Sequence, residues 1–193
     1  FSTKDVALLW GEEREKTISG RPLNILNLFA YTGGATMAAL AAGARVTHVD
    51  AAKSALTWAN DNLKASGFAE KPVRWTEEDA YKFILREAKR GNSYDGIIMD
   101  PPRFGRGSKG EVWKLENDLP KLINACKQIL APNPAFILIN AYTADMSSLV
   151  LHQMLTDMTH SFGGSVSSGE LALKESSSDR LLPNGIFARW SLR

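Results

Sequence analysis

The chain of 193 residues, 44% of them hydrophobic, has the size and apolar content of one domain with a substantial core. Its 23 Lys and Arg against 21 Asp and Glu leave a formal charge of +2, so bulk charge neither demands nor excludes a nucleic-acid partner. A single cysteine, Cys126, excludes an internal disulfide framework and any multi-cysteine metal site, and favours a reducing, cytoplasmic setting.

The opening residues, FSTKDVALLWGEEREK, include LLWGEEREK, which suits a short helix. They lack the basic start and long apolar stretch of a signal peptide, and no run of about 18 apolar residues suggests a membrane span. Residues 1–20 read as an N-terminal extension or the end of a missing upstream region, and 21–193 as one domain. NILNLFA (24–30) is an apolar run suited to a buried strand, and ATMAALAAG follows as a helix closed by Gly43. RVTHVD gives a second strand, and SALTWANDNLKASG a helix with Leu56, Ala59 and Leu63 on one face, ended by Gly67. VRWTE is a third strand, and DAYKFILREAKRG a helix aligning Ala80, Phe83, Ile84 and Ala88.

YDGIIMD is a fourth strand, stopped by DPP because proline has no amide hydrogen to continue a ladder. A helical period runs from Leu119 through Leu122, Ile123, Cys126, Ile129 and Leu130, and AFILIN supplies a fifth strand. A helix around MSSLVLHQMLTDMTHS precedes two closing strands, SVSSGELALKE and GIFARWSLR. This alternation implies a mostly parallel α/β sheet with an antiparallel edge.

In such sheets ligands sit beyond the carboxyl ends of the strands, which directs attention to YTGG, residues 31–34. Neither G-x-G-x-x-G nor G-x-x-x-x-G-K-[ST] is present, so a pyrophosphate cradle is disfavoured, and an adenosine-cofactor oxidoreductase with it. The hydroxyls of Tyr31 and Thr32 and the amides around Gly33 suit a small carboxylate or amino-acid moiety, though an ordinary strand-to-helix turn fits equally. Asp50, ending the second strand, is open to two readings, acceptor for ribose hydroxyls or helix cap. Glu78 and Asp79 repeat the choice, as adenine-amine acceptor or helix N-cap. DPPRF (100–104) adds a carboxylate, a stiff turn with free carbonyls and an aromatic, a set that suits a flat, amine-bearing group.

The ordered motifs LNLFAYTGG, VTHVDAAKSALTWANDN, EDAYKFI and YDGIIMDPPRFGRG resemble those of class I S-adenosylmethionine-dependent methyltransferases, most of all the bacterial large-subunit (23S) ribosomal RNA methyltransferases. The resemblance covers residues 21–193 and implies a Rossmann-like fold, a seven-stranded sheet with helices on both faces, and S-adenosyl-L-methionine as cofactor. It implies that Asn27 and the loop with Phe29, Tyr31, Thr32 and Gly33 hold the methionine part, Asp50 and Ala51 the ribose, and Asp79 and Ala80 the adenine. Asp100, Pro101 and Phe104 take the catalytic places, with Asp100 and Pro101 facing the methyl, and no metal is required.

Cytosine-C5 chemistry needs a cysteine that neither NAYT nor DPPRF supplies, and Cys126 lies on an apolar helical stripe, where it reads as a structural thiol. A base nitrogen is therefore the expected target, the guanine amine first. Arg103 separates Phe104 from the prolines, so Phe104 either stacks on the base or packs in the core. Arg103, Arg106, Lys109 and Lys114 surround Trp113 in a loop that either grips RNA with Trp113 on a base, or is solvated with Trp113 as its anchor. The five Trp read as packing residues and the three His show no ligand spacing. A small-molecule or protein methyltransferase and a non-catalytic RNA-binding module remain as alternatives.

Overall fold

The computed structural model describes residues 17–18, 20–106, 110, 112–143 and 145–192. One seven-stranded sheet is built from β1 (Asn24–Leu28), β2 (Arg45–Asp50), β3 (Val73–Glu77), β4 (Gly96–Met99), β5 (Phe136–Ala141), β6 (Ser165–Lys174) and β7 (Leu181–Ser191). The helices α1 (Gly34–Ala41), α2 (Lys53–Ala65), α3 (Ala80–Lys89), α4 (Leu115–Lys127) and α5 (Ser148–Thr159) connect them.

The strand order is β6-β7-β5-β4-β1-β2-β3. Neighbours from β5 through β3 pair in parallel, and β7 pairs antiparallel with both β5 and β6. The reversed strand is thus one place in from the edge, and its hairpin partner forms the edge itself. β1 and β4 are buried almost throughout, as strands covered on both faces must be. Alternate residues go to opposite faces: Leu26, Leu28, Ile97 and Met99 join the core containing Phe83, Leu119 and Leu155. Ile25, Val46 and Ile98 join Leu40 and Leu63 in the core on the other face.

Two sequence expectations change. The segment 104–114, read as a loop, carries an antiparallel ribbon in which Phe104–Arg106 pairs with Val112–Lys114. α4 begins at Leu115, straight out of that ribbon, rather than at Leu119. The helix expected in LLWGEEREK lies outside the described residues. No helix among the described residues is long and apolar enough to cross a membrane.

Strand order reverses at β1, which has β2 on one side and β4 on the other. The carboxyl ends of β1 and β4 therefore frame the crevice where an open α/β sheet binds its ligand.

Candidate active site

The loop after β1 is bent by three left-handed residues, Phe29 (φ 54°), Tyr31 (φ 45°) and Gly33 (φ 86°). Two of these carry side chains, a conformation that persists only where the surroundings impose it. The surroundings do so here. The Tyr31 N–H donates to Asp50 Oδ2 at 2.8 Å, and Asn62 Nδ2 of α2 donates to the Thr32 carbonyl at 3.0 Å. Gly33 lies so close to α2 that a side-chain carbon there would be 3.3 Å from the Ala59 methyl. Gly33 also starts α1 without a side-chain cap or an acidic residue in the first turn, and the space over Gly34 is open. The first amides of α1 are left for an incoming anionic group.

The two ambiguous acidic positions separate. Asp79 caps α3, its Oδ1 accepting the Lys82 N–H at 2.9 Å. Asp50 caps nothing, because Ala52 occupies the cap position of α2. Its Oδ1 accepts the Ala52 N–H at 2.9 Å while Oδ2 holds Tyr31, so the carboxylate ties the loops after β1 and β2 together. Its carbonyl accepts the Glu78 N–H at 3.1 Å, bringing the loop after β3 to the same edge. Ala51 is half-buried, and Ala80 is buried in the core.

At the end of β4, Asp100 is mostly buried and its Oδ1 has no hydrogen-bond partner. Burial pushes its carboxyl up to about 6. Pro101 beside it is buried, and Phe104 is 53% exposed, which removes the reading of Phe104 as a core residue. Tyr142, just past β5, is raised by its own burial and by the charge of Asp100. Gly185 of β7 (φ 117°) passes so close that a side-chain carbon would meet Tyr142 Cδ1 at 3.1 Å and the Ala141 carbonyl at 2.7 Å.

A match to the family described as S-adenosylmethionine-dependent methyltransferase covers residues 8–155. The chain belongs to this family. The crystal structure of a SAM-dependent methyltransferase from Agrobacterium tumefaciens superposes with a TM-score of 0.91 at 42% identity, over 100% of this chain and 63% of that one. SMU.776, a methyltransferase complexed with SAH, gives a TM-score of 0.68 at 26% identity over 89% of this chain and 46% of its own. Ribosomal RNA large subunit methyltransferase K/L of Vibrio campbellii is 36% identical over 119 residues, 61% of this chain. The chain spans 16% of the length of that relative and 63% of the Agrobacterium chain.

Not every expected site residue of this methyltransferase reaches the crevice. Asn27 is buried within β1, where its Nδ2 donates to Thr36 Oγ1 at 3.0 Å, so it supports α1 rather than facing a ligand. Trp113 is 9% exposed, donates from its indole to the Pro102 carbonyl at 2.6 Å and packs its ring 5.0 Å from that of Phe29. It is the anchor of the ribbon and the link to the loop after β1, and its ring is buried rather than presented to an RNA base. Arg103 is held by Asp145 at 2.5 Å and Glu116 at 3.3 Å, so it is a bridge between loops before it is an RNA ligand. Arg106 is exposed on the ribbon, and Lys109 lies outside the described residues. Cys126 is fully buried with its sulfur 3.9 Å from that of Met99, and burial pushes its thiol up.

Tyr142 lies in NAYT, read only for the cysteine it lacks, and Gly185 carries no motif; the closing of the sheet brings Tyr142 within the field of Asp100 and Gly185 against Tyr142. Among the described residues no group of His, Cys, Asp and Glu could hold a metal ion. A cavity of about 420 Å³ opens at the opposite, amino edge of the sheet, lined by Arg45, Arg74, Glu87 and Tyr94. There Glu87 is opposed by burial but overcome by donors, Arg74 at 2.9 and 3.1 Å, Asn92 at 2.9 Å and Tyr94 at 2.9 Å, which bring its carboxyl to about 2. Its acceptors are saturated, and the cluster closes the fold rather than offering a site.

Proposed function

We propose that this methyltransferase methylates a base nitrogen of ribosomal RNA, the exocyclic amine of guanine, with S-adenosyl-L-methionine as donor. The observation that carries the reading is Asp100, a carboxylate at the crevice with one oxygen unpartnered. A buried acceptor left unpaired in the free protein is satisfied when a donor arrives. An amine presents two hydrogens, one for Asp100 and one for the Pro101 carbonyl, and this arrangement aims the nitrogen lone pair. The alternative carbon chemistry lacks its nucleophile, because Cys126 sits in the core.

The cofactor supplies an electrophilic sulfonium methyl. The residues at the carboxyl edge fit that group: the uncapped amides of α1 would receive the methionine carboxylate, with Phe29, Tyr31, Thr32 and Gly33 shaping the loop around it. Asp50 would keep lone pairs free for the ribose hydroxyls beside Ala51, and Asp79, whose second oxygen lies outside the cap bond, would border the adenine, with Ala80 behind it in the core. Asp100 would accept a hydrogen bond from the target amine, and its carboxylate would take up the proton released after transfer. Phe104, exposed beside the prolines, covers the base. The domain runs over residues 21–193, and a ribosomal substrate puts the protein in the cytoplasm.

The deciding experiment is mass spectrometry of ribosomal RNA nucleosides from cells with and without the gene. Loss of an N-methylated guanosine, restored by the wild-type gene and not by Asp100→Ala, is the expected result. An unchanged modification profile overturns the RNA reading and leaves another amine as substrate.

A further inference from the structure

Under the loop after β1 lies a row of polar side chains shut away from solvent: Asn27, Thr36 and His48 are at most 1% exposed. Asn27 and His48 face each other across the β1–β2 pairing and share one face of the sheet. Asn27 Nδ2 donates to Thr36 Oγ1 at 3.0 Å, and Thr36 Oγ1 lies 2.9 Å from His48 Nδ1. The hydroxyl has one hydrogen. It can accept from Asn27 and still donate that hydrogen to Nδ1, an arrangement that puts the imidazole hydrogen on Nε2, on the side of the Tyr31 backbone. Burial keeps the ring neutral, lowering its pKa to about 4. The ring also packs on Trp75, with centroids 4.7 Å apart.

His48 Nε2 is buried and lacks a well-aligned partner. It faces the Tyr31 backbone, and the adjacent Cε1 lies 3.6 Å from where a side chain at Gly33 would begin. The imidazole is thus within van der Waals reach of the loop at Gly33. Tyr31 is the left-handed residue whose N–H is already taken by Asp50. Its carbonyl is the group left to fix.

We propose that His48 is a positioning residue for the cofactor loop, its Nε2–H held by the Asn27–Thr36 relay to fix the Tyr31 carbonyl when S-adenosylmethionine binds. Asp50 holds Tyr31 from the β2 end and His48 holds it from beneath, so the two together set the strained stretch that receives the methionine end. The inference concerns the cofactor alone and stands whatever the acceptor is. It also gives Asn27 a role without contact to the ligand, as the group that holds the Thr36 hydroxyl beside the imidazole.

The test uses the whole chain. Nitrogen NMR of the wild type is expected to show the Nε2-protonated tautomer of His48, and Thr36→Val to weaken that preference. Gln reaches as far as Nε2 with an amide donor and Asn only as far as Nδ1. In calorimetry with S-adenosylmethionine and with S-adenosylhomocysteine, His48→Gln is expected to bind within about 2-fold of wild type, and His48→Asn about 5- to 10-fold more weakly, the scale of one neutral hydrogen bond. An Nδ1-protonated wild type overturns the proposal. So does an Asn variant that binds normally, or equal weakening by Gln and Asn, which would make the ring a filler of space. Should the Asn variant not fold, the tautomer and the Gln variant still decide.

Discussion

Asp100 works against the fold. A carboxyl raised to about 6 in the folded chain and near 3.8 in the unfolded one binds more protons folded than unfolded between those values. Stability is therefore lost as pH rises from about 4 through 6, and the loss persists at neutral pH. Asp100→Asn, which removes the charge and keeps the shape, is expected to be the more stable protein at pH 7, by on the order of 2–3 kcal/mol, and no more stable at pH 3. Thermal melts across that range check it. The ionised carboxylate is the stronger acceptor for an amine and the only form able to take up its proton, so methyl transfer is expected to rise with pH through about 6. Cofactor affinity of Asp100→Ala should stay close to wild type while transfer is lost. Sequence could place Asp50, Asp79 and Asp100 at strand ends but could not divide their labour. Whether an aspartate caps a helix depends on where the next helix starts, and α2 starts at Lys53, too late for Asp50 to cap it.

At the scale of elements, the ribbon between β4 and α4 was the least legible part. Three-residue strands are too short for a period of two to show, and its glycines and charges read as loop. What holds it is the Trp113 indole on the Pro102 carbonyl, and what couples it to the loop after β1 is the ring contact with Phe29. Trp113→Phe keeps much of the ring and removes the donor, leaving a partly buried carbonyl unpaired at a cost of about 1–3 kcal/mol. The expected outcome is a higher KM for the acceptor with smaller change in cofactor affinity, read by steady-state kinetics and calorimetry. Gly185→Ala meets both a backbone incompatible with a side chain and the Ala141 carbonyl. It is expected to displace Tyr142 from beside Asp100 and to lower transfer more than it lowers cofactor binding.

For the whole molecule, alternation of strands and helices was enough to read the layers and the antiparallel closing pair. The order of strands was supplied by long-range packing, which no local window contains. Gly96 shows the packing at work: a side-chain carbon there would lie 2.6 Å from Phe136 Cε1 and 2.8 Å from Ile25 Cδ1, so any side chain at that position has to displace both. Gly96→Val is expected to cost about 1–3 kcal/mol or more by overpacking, measured by denaturant unfolding, with no specific effect on the crevice at the other end of the strand. The amino edge is secured by charge as well, with Arg21 donating to Asp95 at 2.7 and 2.9 Å and the Glu87 cluster beside it. Stability is thus gathered at the amino edge and strain at the carboxyl edge.

The Asp50 carboxylate holds the amides of Tyr31 and Ala52 in one group. Two amides on different loops that share an acceptor can exchange their hydrogens with solvent only when that acceptor lets go. Their exchange rates should therefore rise and fall together, slow further when the cofactor binds, and report the state of the crevice in a protein for which no acceptor has yet been added.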